Sequence, residues 1–188
     1  MRLFTAIDIP GEVREALHSF MLRLKPLAKL SWSPVENLHI TTKFIGEWPE
    51  ARLADIRCAL ATVCEPGADA PIAITIKGLG WFPDARKPRV FWAGVESGSA
   101  LAELAKRTEQ AAAALGVPEE TRAFSPHLTL ARIRTAVTLG PLRAELAALP
   151  SGCGFDFGSF EASRFFLYLS AGGEYTKLES YKFARCAG

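Results

Sequence analysis

The chain has 188 residues, of which 49% are hydrophobic, and this size is typical of one globular domain with a substantial core. It carries 22 lysines and arginines against 20 acidic residues, a net charge of +2. Such a small excess gives no long-range field that would attract nucleic acid, so any phosphate recognition must be local. No apolar run approaches the roughly 20 residues of a membrane-spanning helix. We therefore expect one domain over residues 1–188, a monomer with no membrane partner.

The cysteines and the first residues give no sign of metal binding or export. The four cysteines, at positions 58, 64, 153 and 186, form no CxxC pair, and no histidine stands at zinc-ligand spacing from them. Residues 1–10 alternate like a strand and lack the apolar segment of a signal peptide. We expect reduced thiols in a cytoplasmic protein that has no metal site and needs no cofactor.

Hydrophobic periodicity predicts the same order of elements twice along the chain. In the first half the predicted elements are a strand at Leu3 to Ile9, a helix between Pro10 and Pro26, a short extended piece at Leu30 to Pro34, a strand at Leu38 to Phe44 and a helix from about Glu50 to Val63. In the second half they are strands at Ile72 to Ile76 and Val90 to Val95, a helix from about Ser99 to Leu115, a strand at Phe124 to Ile133, a helix around Leu142 to Leu149, and strands at Gly154 to Phe160, Arg164 to Ser170 and Tyr175 to Phe183. The excess of strands, often in hairpin-like succession, favours an antiparallel α+β fold. We predict two sheets that face a shared cleft.

Two of the three histidines stand in matching strands, Leu38-His39-Ile40-Thr41 and Pro126-His127-Leu128-Thr129. Alternation along a strand places each histidine and its threonine on one face and the apolar neighbours on the other, towards the core; in the first strand these are Leu38, Ile40 and Phe44. A single His-x-Thr in a strand is usually structural. Two copies in the same register and the same element order, in a chain with only three histidines, favour a shared function instead.

A pair of imidazoles suits chemistry that donates one proton and removes another near neutral pH. With an ordinary pKa of about 6.5, one histidine can be charged while its partner is neutral. The hydroxyls of Thr41 and Thr129 would point the same way and could bind phosphoryl oxygens. The third histidine, His18, lies in a polar stretch of the first helix and is expected at the surface.

These residues resemble the 2H phosphoesterase superfamily, and specifically its RNA 2',3'-cyclic phosphodiesterases, historically called 2'-5' RNA ligases. The resemblance also covers Arg2 to Ile7, Trp32 to Thr41, the Gly80-Trp81-Phe82 turn, Arg89 to Trp92, Phe124 to Arg132 and two segments near the end, Leu167 to Ser170 and Gly173 to Thr176. It departs at Thr42, where the family often has leucine and where we expect a core position. The resemblance implies a bilobal fold with a pseudo-twofold axis and a cleft for the phosphate.

The resemblance also implies the reaction and the roles of the two histidines. The substrate would be RNA with 2',3'-cyclic phosphate ends, or a cyclic nucleotide, opened to a 2'-phosphate without a metal. His127 would be the base and His39 the acid, although the two roles could be exchanged. A 5'-hydroxyl in place of water would give 2'-5' ligase activity at the same groups.

Further cations and aromatic residues are candidates for substrate binding. Arg132 could contact the phosphate through its guanidinium, but strand parity puts it on the core face unless it lies at the strand end or beyond a bulge. Parity places Lys43 on the same face as His39, as a phosphate contact or an ordinary exposed lysine. The loop with Arg86, Lys87 and Arg89 could hold RNA or be merely solvated, and Phe4 and Tyr168 could line a base pocket or pack in the core.

Three alternatives remain at this point. The chain could be a non-catalytic RNA-binding module, or a 2H phosphoesterase that acts on another small cyclic phosphate or a 2'-5' oligonucleotide. A metallohydrolase is disfavoured because the sequence has no His-x-His, no His-Glu-x-x-His and no dense carboxylate cluster.

Overall fold

The computed structural model describes residues 1–64, 70–149 and 155–183. In chain order these contain β1 (Arg2–Asp8), α1 (Gly11–Leu24), β2 (Ser31–Trp32), β3 (His39–Glu47), α2 (Leu53–Ala61), β4 (Ile72–Phe82), β5 (Val90–Ser97), α3 (Ser99–Ala113), β6 (His127–Arg132), α4 (Gly140–Ala148), β7 (Asp156–Ala162), β8 (Arg164–Ala171) and β9 (Glu174–Lys182). The predicted order of elements is confirmed. β4 runs six residues beyond its predicted end at Ile76, β6 begins only at His127, and Gly154, the predicted start of β7, lies outside the described residues.

The strands form two antiparallel sheets, so the predicted α+β fold is confirmed. Sheet A has the strand order β3-β1-β8-β9, and sheet B has the order β2-β6-β5-β4-β7. β3 at the edge of sheet A lies next to β6 of sheet B. Each of these two strands carries one His-x-Thr motif, so the contact between the sheets brings the two motifs together.

Three of the helices, α1, α2 and α3, pack against the strands of the two sheets. α1 buries Val13, Leu17, Met21 and Leu24, which recur at helical spacing, and it packs against β7. α3 packs against α2 and β3, and α2 also contacts β9. Each fully buried leucine or phenylalanine in this layer stabilises the fold by about 1.5–3 kcal/mol. The opposite faces of the two sheets are thereby left for the cleft.

In the parts of the chain that the structure describes, no α-helix has both the length and the apolar character to cross a membrane.

Candidate active site

A β-bulge in β3 decides which side chains of the first motif reach the cleft. Across from β1, Ala6 pairs with Thr41 and Thr5 pairs with Lys43, so Thr42 is an extra residue in β3. Thr42 is buried as predicted, and its hydroxyl lies 2.7 Å from that of Thr5. Strand parity reverses after it.

This reversal corrects two predictions for the residues that follow the bulge. Lys43 turns into the core and is only 5% exposed; its Nζ donates to the Glu109 carboxylate and, over 2.9 Å, to the Pro118 carbonyl. Phe44, predicted to face the core, is 58% exposed and lies 6.3 Å from the Phe4 ring. The prediction that Lys43 lies on the same face as His39 is therefore wrong, and a lysine held in this ion pair is not available to a phosphate in the cleft.

The second motif strand contains a bulge at the equivalent position. Opposite β5, Thr129 pairs with Trp92 and Ala131 with Phe91, which leaves Leu130 as the extra residue. Ser33 holds this bulge, because its N–H donates to the Leu130 carbonyl (2.9 Å) and its hydroxyl donates to the Thr129 carbonyl (2.7 Å).

The bulge also places Arg132 on the face of Thr129. Arg132 ends β6, pairs with Val90 of β5 and is exposed. Both conditions under which the arginine could serve the cleft, a strand end and a bulge, are met. Thr129 lies on the same face and is partly buried.

The two imidazoles are oriented in the same way. Nδ1 of His39 donates to the Asn37 carbonyl over 2.6 Å, and Nδ1 of His127 donates to the Ser125 carbonyl over 2.8 Å, in each case two residues earlier. Because a carbonyl only accepts, each Nδ1 carries a proton, and Nε2 is the nitrogen left for proton transfer. Nε2 of His39 lies 3.0 Å from the Thr41 hydroxyl, which donates to it when the imidazole is neutral.

Aromatic side chains surround each histidine. The ring of His39 lies 4.8 Å from Phe4, 6.3 Å from Tyr168 and 5.3 Å from Tyr175. Phe4 and Tyr168, two candidates for a base pocket, are stacked at 5.1 Å and form a small apolar cluster separate from the main core. His127 lies at the edge of Phe82, 4.9 Å away, with Trp92 at 6.4 Å. The cleft thus has an aromatic wall on each lobe.

This environment lowers the pKa of both histidines. For His39 the main cause is burial; the Asn37 carbonyl and the Asp8 carboxylate act in the opposite direction, while His127 and Arg132 lower the pKa further. For His127 burial again dominates, the Ser125 carbonyl opposes it, and Arg132 adds to it. Arg132 therefore acts on both imidazoles, and His127 acts on His39, so the three side chains from two lobes share one electrostatic site.

Sequence reasoning missed Asp8 as part of this site. Asp8 is the cross-strand partner of His39, accepts a hydrogen bond from the Tyr168 hydroxyl and pairs with Lys177. Burial and this hydrogen bond raise the pKa of Tyr168, which keeps its proton. A carboxylate at the end of a strand has no signature in the sequence; only the register between β1 and β3 brings it to His39.

The described residues contain no group of three or more His, Cys, Asp or Glu side chains placed to hold a metal ion. His18, the third histidine, lies partly buried on α1.

Known proteins are similar to this chain in sequence and in fold. The model of the LigT-like phosphoesterase family matches residues 7–92 and 94–170. A curated relative, the RNA 2',3'-cyclic phosphodiesterase of Methanocaldococcus jannaschii, is 34% identical over 170 residues, which are 90% of this chain and 91% of the relative. Among solved structures, TT0787 of Thermus thermophilus matches with a TM-score of 0.76 at 28% identity, over 97% of this chain and 98% of that one. E. coli LigT in complex with 3'-AMP matches with a TM-score of 0.74 at 28% identity, over 98% of both chains. A match that spans both motif strands and most of the chain shows that this protein belongs to the LigT-like phosphoesterase family.

Proposed function

We propose that the protein hydrolyses 2',3'-cyclic phosphate ends of RNA to 2'-phosphates by metal-independent acid/base catalysis with His39 and His127. The observation that carries this proposal is the matched pair of imidazoles, each with its Nδ1 donating to a backbone carbonyl and its Nε2 left for proton transfer. One arginine, Arg132, acts on both. Such a site can bind a phosphodiester between a proton donor and a proton acceptor.

In the proposed reaction His127 is the base. Its Nε2 takes a proton from a water whose oxygen forms the new bond to phosphorus. The bond between phosphorus and the 3' oxygen breaks, and His39 gives the proton on its Nε2 to that oxygen, which leaves a 3'-hydroxyl and a 2'-phosphate. The two histidines end the turnover with exchanged protons and return to their starting states by exchange with water.

The surroundings of the histidines support this assignment of acid and base. Asp8, across the strand pair from His39, opposes the lowering of the pKa of His39 and so favours the protonated form that an acid must have. Burial and Arg132 lower the pKa of both histidines, but among the described residues no carboxylate contributes to the pKa of His127, so no anion there opposes the neutral form that a base must have. The carboxylate next to one histidine alone therefore favours His39 as the acid.

The remaining polar groups of the cleft stabilise the negative charge that grows on the phosphoryl oxygens. The hydroxyls of Thr41 and Thr129 are donors on the same faces as the histidines, and the Arg132 guanidinium can form two charge-assisted hydrogen bonds. Thr41 gives up its bond to His39 when it turns to the substrate. These donors, with the two imidazoles, can supply the charge stabilisation and proton transfer that the opening of a cyclic diester requires, so no metal is needed.

An RNA end as substrate fits both the cleft and the relatives. The aromatic wall around His39, with exposed Phe44 and Tyr175 at its rim, offers surfaces on which a nucleobase can stack. Curated relatives carry the name RNA 2',3'-cyclic phosphodiesterase, and LigT of E. coli is known with 3'-AMP bound. A 5'-hydroxyl in the place of the attacking water would form a 2'-5' linkage with the same groups, so limited ligase activity belongs to the proposal.

The proposal is tested with an oligoribonucleotide that ends in a 2',3'-cyclic phosphate, in the presence of a chelator, with analysis of the product end. We expect a 2'-phosphate and no loss of rate on chelation. His39→Ala and His127→Ala should each lower kcat by about 10² to 10⁴, the usual contribution of a general acid or base.

His18→Ala is the matched control, since it removes the one imidazole that lies on α1 outside the cleft, and it should keep wild-type activity. Wild-type protein that binds such RNA but turns over no cyclic phosphate would favour an RNA-binding module. Turnover of a small cyclic phosphate alone, with RNA ends untouched, would keep the chemistry and replace the substrate. Activity lost in chelator and restored by a divalent ion would overturn metal independence.

A further inference from the structure

Positively charged residues lie at the end of sheet B where β6 ends. The Arg132 side chain lies there, and the next residue, Ile133, donates its N–H to the Arg89 carbonyl over 2.8 Å, which fixes the basic β4–β5 loop beside it. Asp84 shapes that loop by accepting the N–H groups of Arg86 and Lys87. In a chain with a net charge of only +2, Arg132 and this basic loop thus lie together at the proposed phosphate site.

A groove runs from this end of sheet B along the side of β2 that faces away from β6. It consists of two adjoining depressions of about 390 Å³ and 470 Å³, which share Ala28, Lys29, Thr135 and Val137. One wall is the segment 25–32 and the other is the segment 133–141. Ser31 lines the groove and is the cross-strand partner of Arg132, so the groove begins where the proposed phosphate cation lies.

The groove is lined by cations without compensating anions. Lys25, Lys29 and Arg134 line it and are exposed, and of the residues that the structure describes no aspartate or glutamate lines either depression. Within the described residues none of the three belongs to an ion pair. Three like charges along one groove repel each other in the free protein, and an anionic ligand with several charges would relieve this repulsion.

We propose that this basic groove binds the sugar-phosphate backbone of the single-stranded RNA that leads to the cyclic end in the cleft. The inference rests on the proposed function and extends it, because it makes an RNA chain rather than a mononucleotide the preferred substrate. RNA is favoured over an acidic protein because the groove is continuous with the proposed phosphate site. The groove starts beside Arg132, and an RNA chain that ends in a cyclic phosphate at that site carries its next phosphates outward from there.

The groove provides charge and little stacking surface. Among the described residues, Trp32 is the only aromatic one that lines the groove. Its Nε1 donates to the Ala28 carbonyl over 3.3 Å, and its ring packs edge-on against Phe91 at 6.2 Å. Binding by phosphate contacts alone carries no sequence information. Selection among RNA sequences should therefore come from the cleft and not from the groove.

The test compares two substrates with the triple variant Lys25→Gln, Lys29→Gln, Arg134→Gln. For a 2',3'-cyclic mononucleotide, which does not reach the groove, kcat and KM should stay within about twofold of wild type. For an oligonucleotide with the same cyclic end, KM should rise by about tenfold at low salt. The slope of log(kcat/KM) against log[salt] should become shallower by about 2, because three phosphate contacts to a single strand release counterions with a slope near −0.7 each.

The control removes the same number of positive charges from α2, α3 and the residue before α2, with Arg52→Gln, Arg57→Gln and Lys106→Gln, and should leave both substrates and the salt slope unchanged. Equal oligonucleotide KM and equal salt slopes for wild type and groove variant, with normal turnover of the mononucleotide, would overturn the groove proposal alone. A wild-type protein that turns over neither substrate would instead refute the proposed function.

Discussion

The partly buried ion pair between Lys43 and Glu109 gives a prediction that separates structural support from substrate contact. Lys43 Nζ donates to the Glu109 carboxylate and the Pro118 carbonyl, and the same carboxylate accepts the N–H of Glu120. The pair joins β3, which carries His39, to α3 and to the segment that leads towards His127. Its loss should therefore cost stability rather than chemistry.

The expected loss of unfolding free energy depends on which charged group each variant leaves without its partner. Glu109→Ala leaves the ammonium of Lys43, a side chain only 5% exposed, with one carbonyl as its partner, and breaking a buried pair from one side costs about 3–5 kcal/mol of unfolding free energy. Lys43→Met leaves Glu109, which is 24% exposed and can be partly hydrated, so we expect a loss of about 1–3 kcal/mol. The double variant should lose less than the sum, because no uncompensated charge remains.

Urea unfolding of the wild type, both single variants and the double variant measures these free energies, provided that the m-values agree. Activity on a cyclic phosphate is measured in parallel, at a temperature where each variant is folded. Lys43→Met should keep kcat/KM within about threefold of wild type. A variant that is as stable as wild type but loses a hundredfold in kcat/KM would refute this reasoning and return Lys43 to the phosphate contacts.

The remaining predictions concern the cleft. Asp8→Asn should lower the pKa of His39 further, because the carboxylate that opposes the lowering is lost. On the alkaline side of the pH–rate profile, where the acid loses its proton, activity should then fall at a lower pH. The acidic side of the profile, which the pKa of His127 sets, should not move. Arg132→Met removes a cation that lowers the pKa of both histidines, so an NMR titration should show both values rise, while a fall or no change would contradict the shared site. Gly80→Ala should lower both activity and melting temperature, because a Cβ there would lie 2.0 Å from the indole of Trp92, which packs beside His127. Unchanged kinetics and an unchanged thermal melt would refute that packing.

Periodicity and motif spacing predicted most of the fold and the matching strand positions of His39 and His127. Alternation placed His39 and Thr41 on one face and Ile40 on the other, as the structure shows, because these residues precede the bulge. The same counting failed for Lys43 and Phe44, which follow it. A bulge depends on how two strands pair over their whole length, and that pairing is not visible in one of them.

Arg132 shows the same limit of counting along a single strand. Counting from His127 predicted a core position, and the extra residue Leu130 makes it a cleft position. The two motifs also resemble each other in their β-bulges, since the extra residue follows the threonine directly in both strands. With both bulges known, residues 39–44 and 127–132 correspond in register, so that Phe44 and Arg132 occupy equivalent sites. One lobe then offers the cleft an aromatic ring and the other a cation, which fits a ligand with a base on one side and a phosphate on the other.

The backbone also accounts for why two equivalent histidines can take different roles. Opposite His39 the cross-strand position holds Asp8, whereas opposite His127 it holds Gly94. A side chain cannot replace this glycine without a shift of the backbone, because a Cβ there would lie 2.3 Å from the carbonyl oxygen of Lys77. The second lobe therefore has no room at that position for a carboxylate equivalent to Asp8, and only His39 can be favoured in its protonated form by a cross-strand anion. A duplicated scaffold thus supplies two similar imidazoles, and a steric constraint in β4 and β5 makes their electrostatic surroundings unequal, as a reaction with one acid and one base requires.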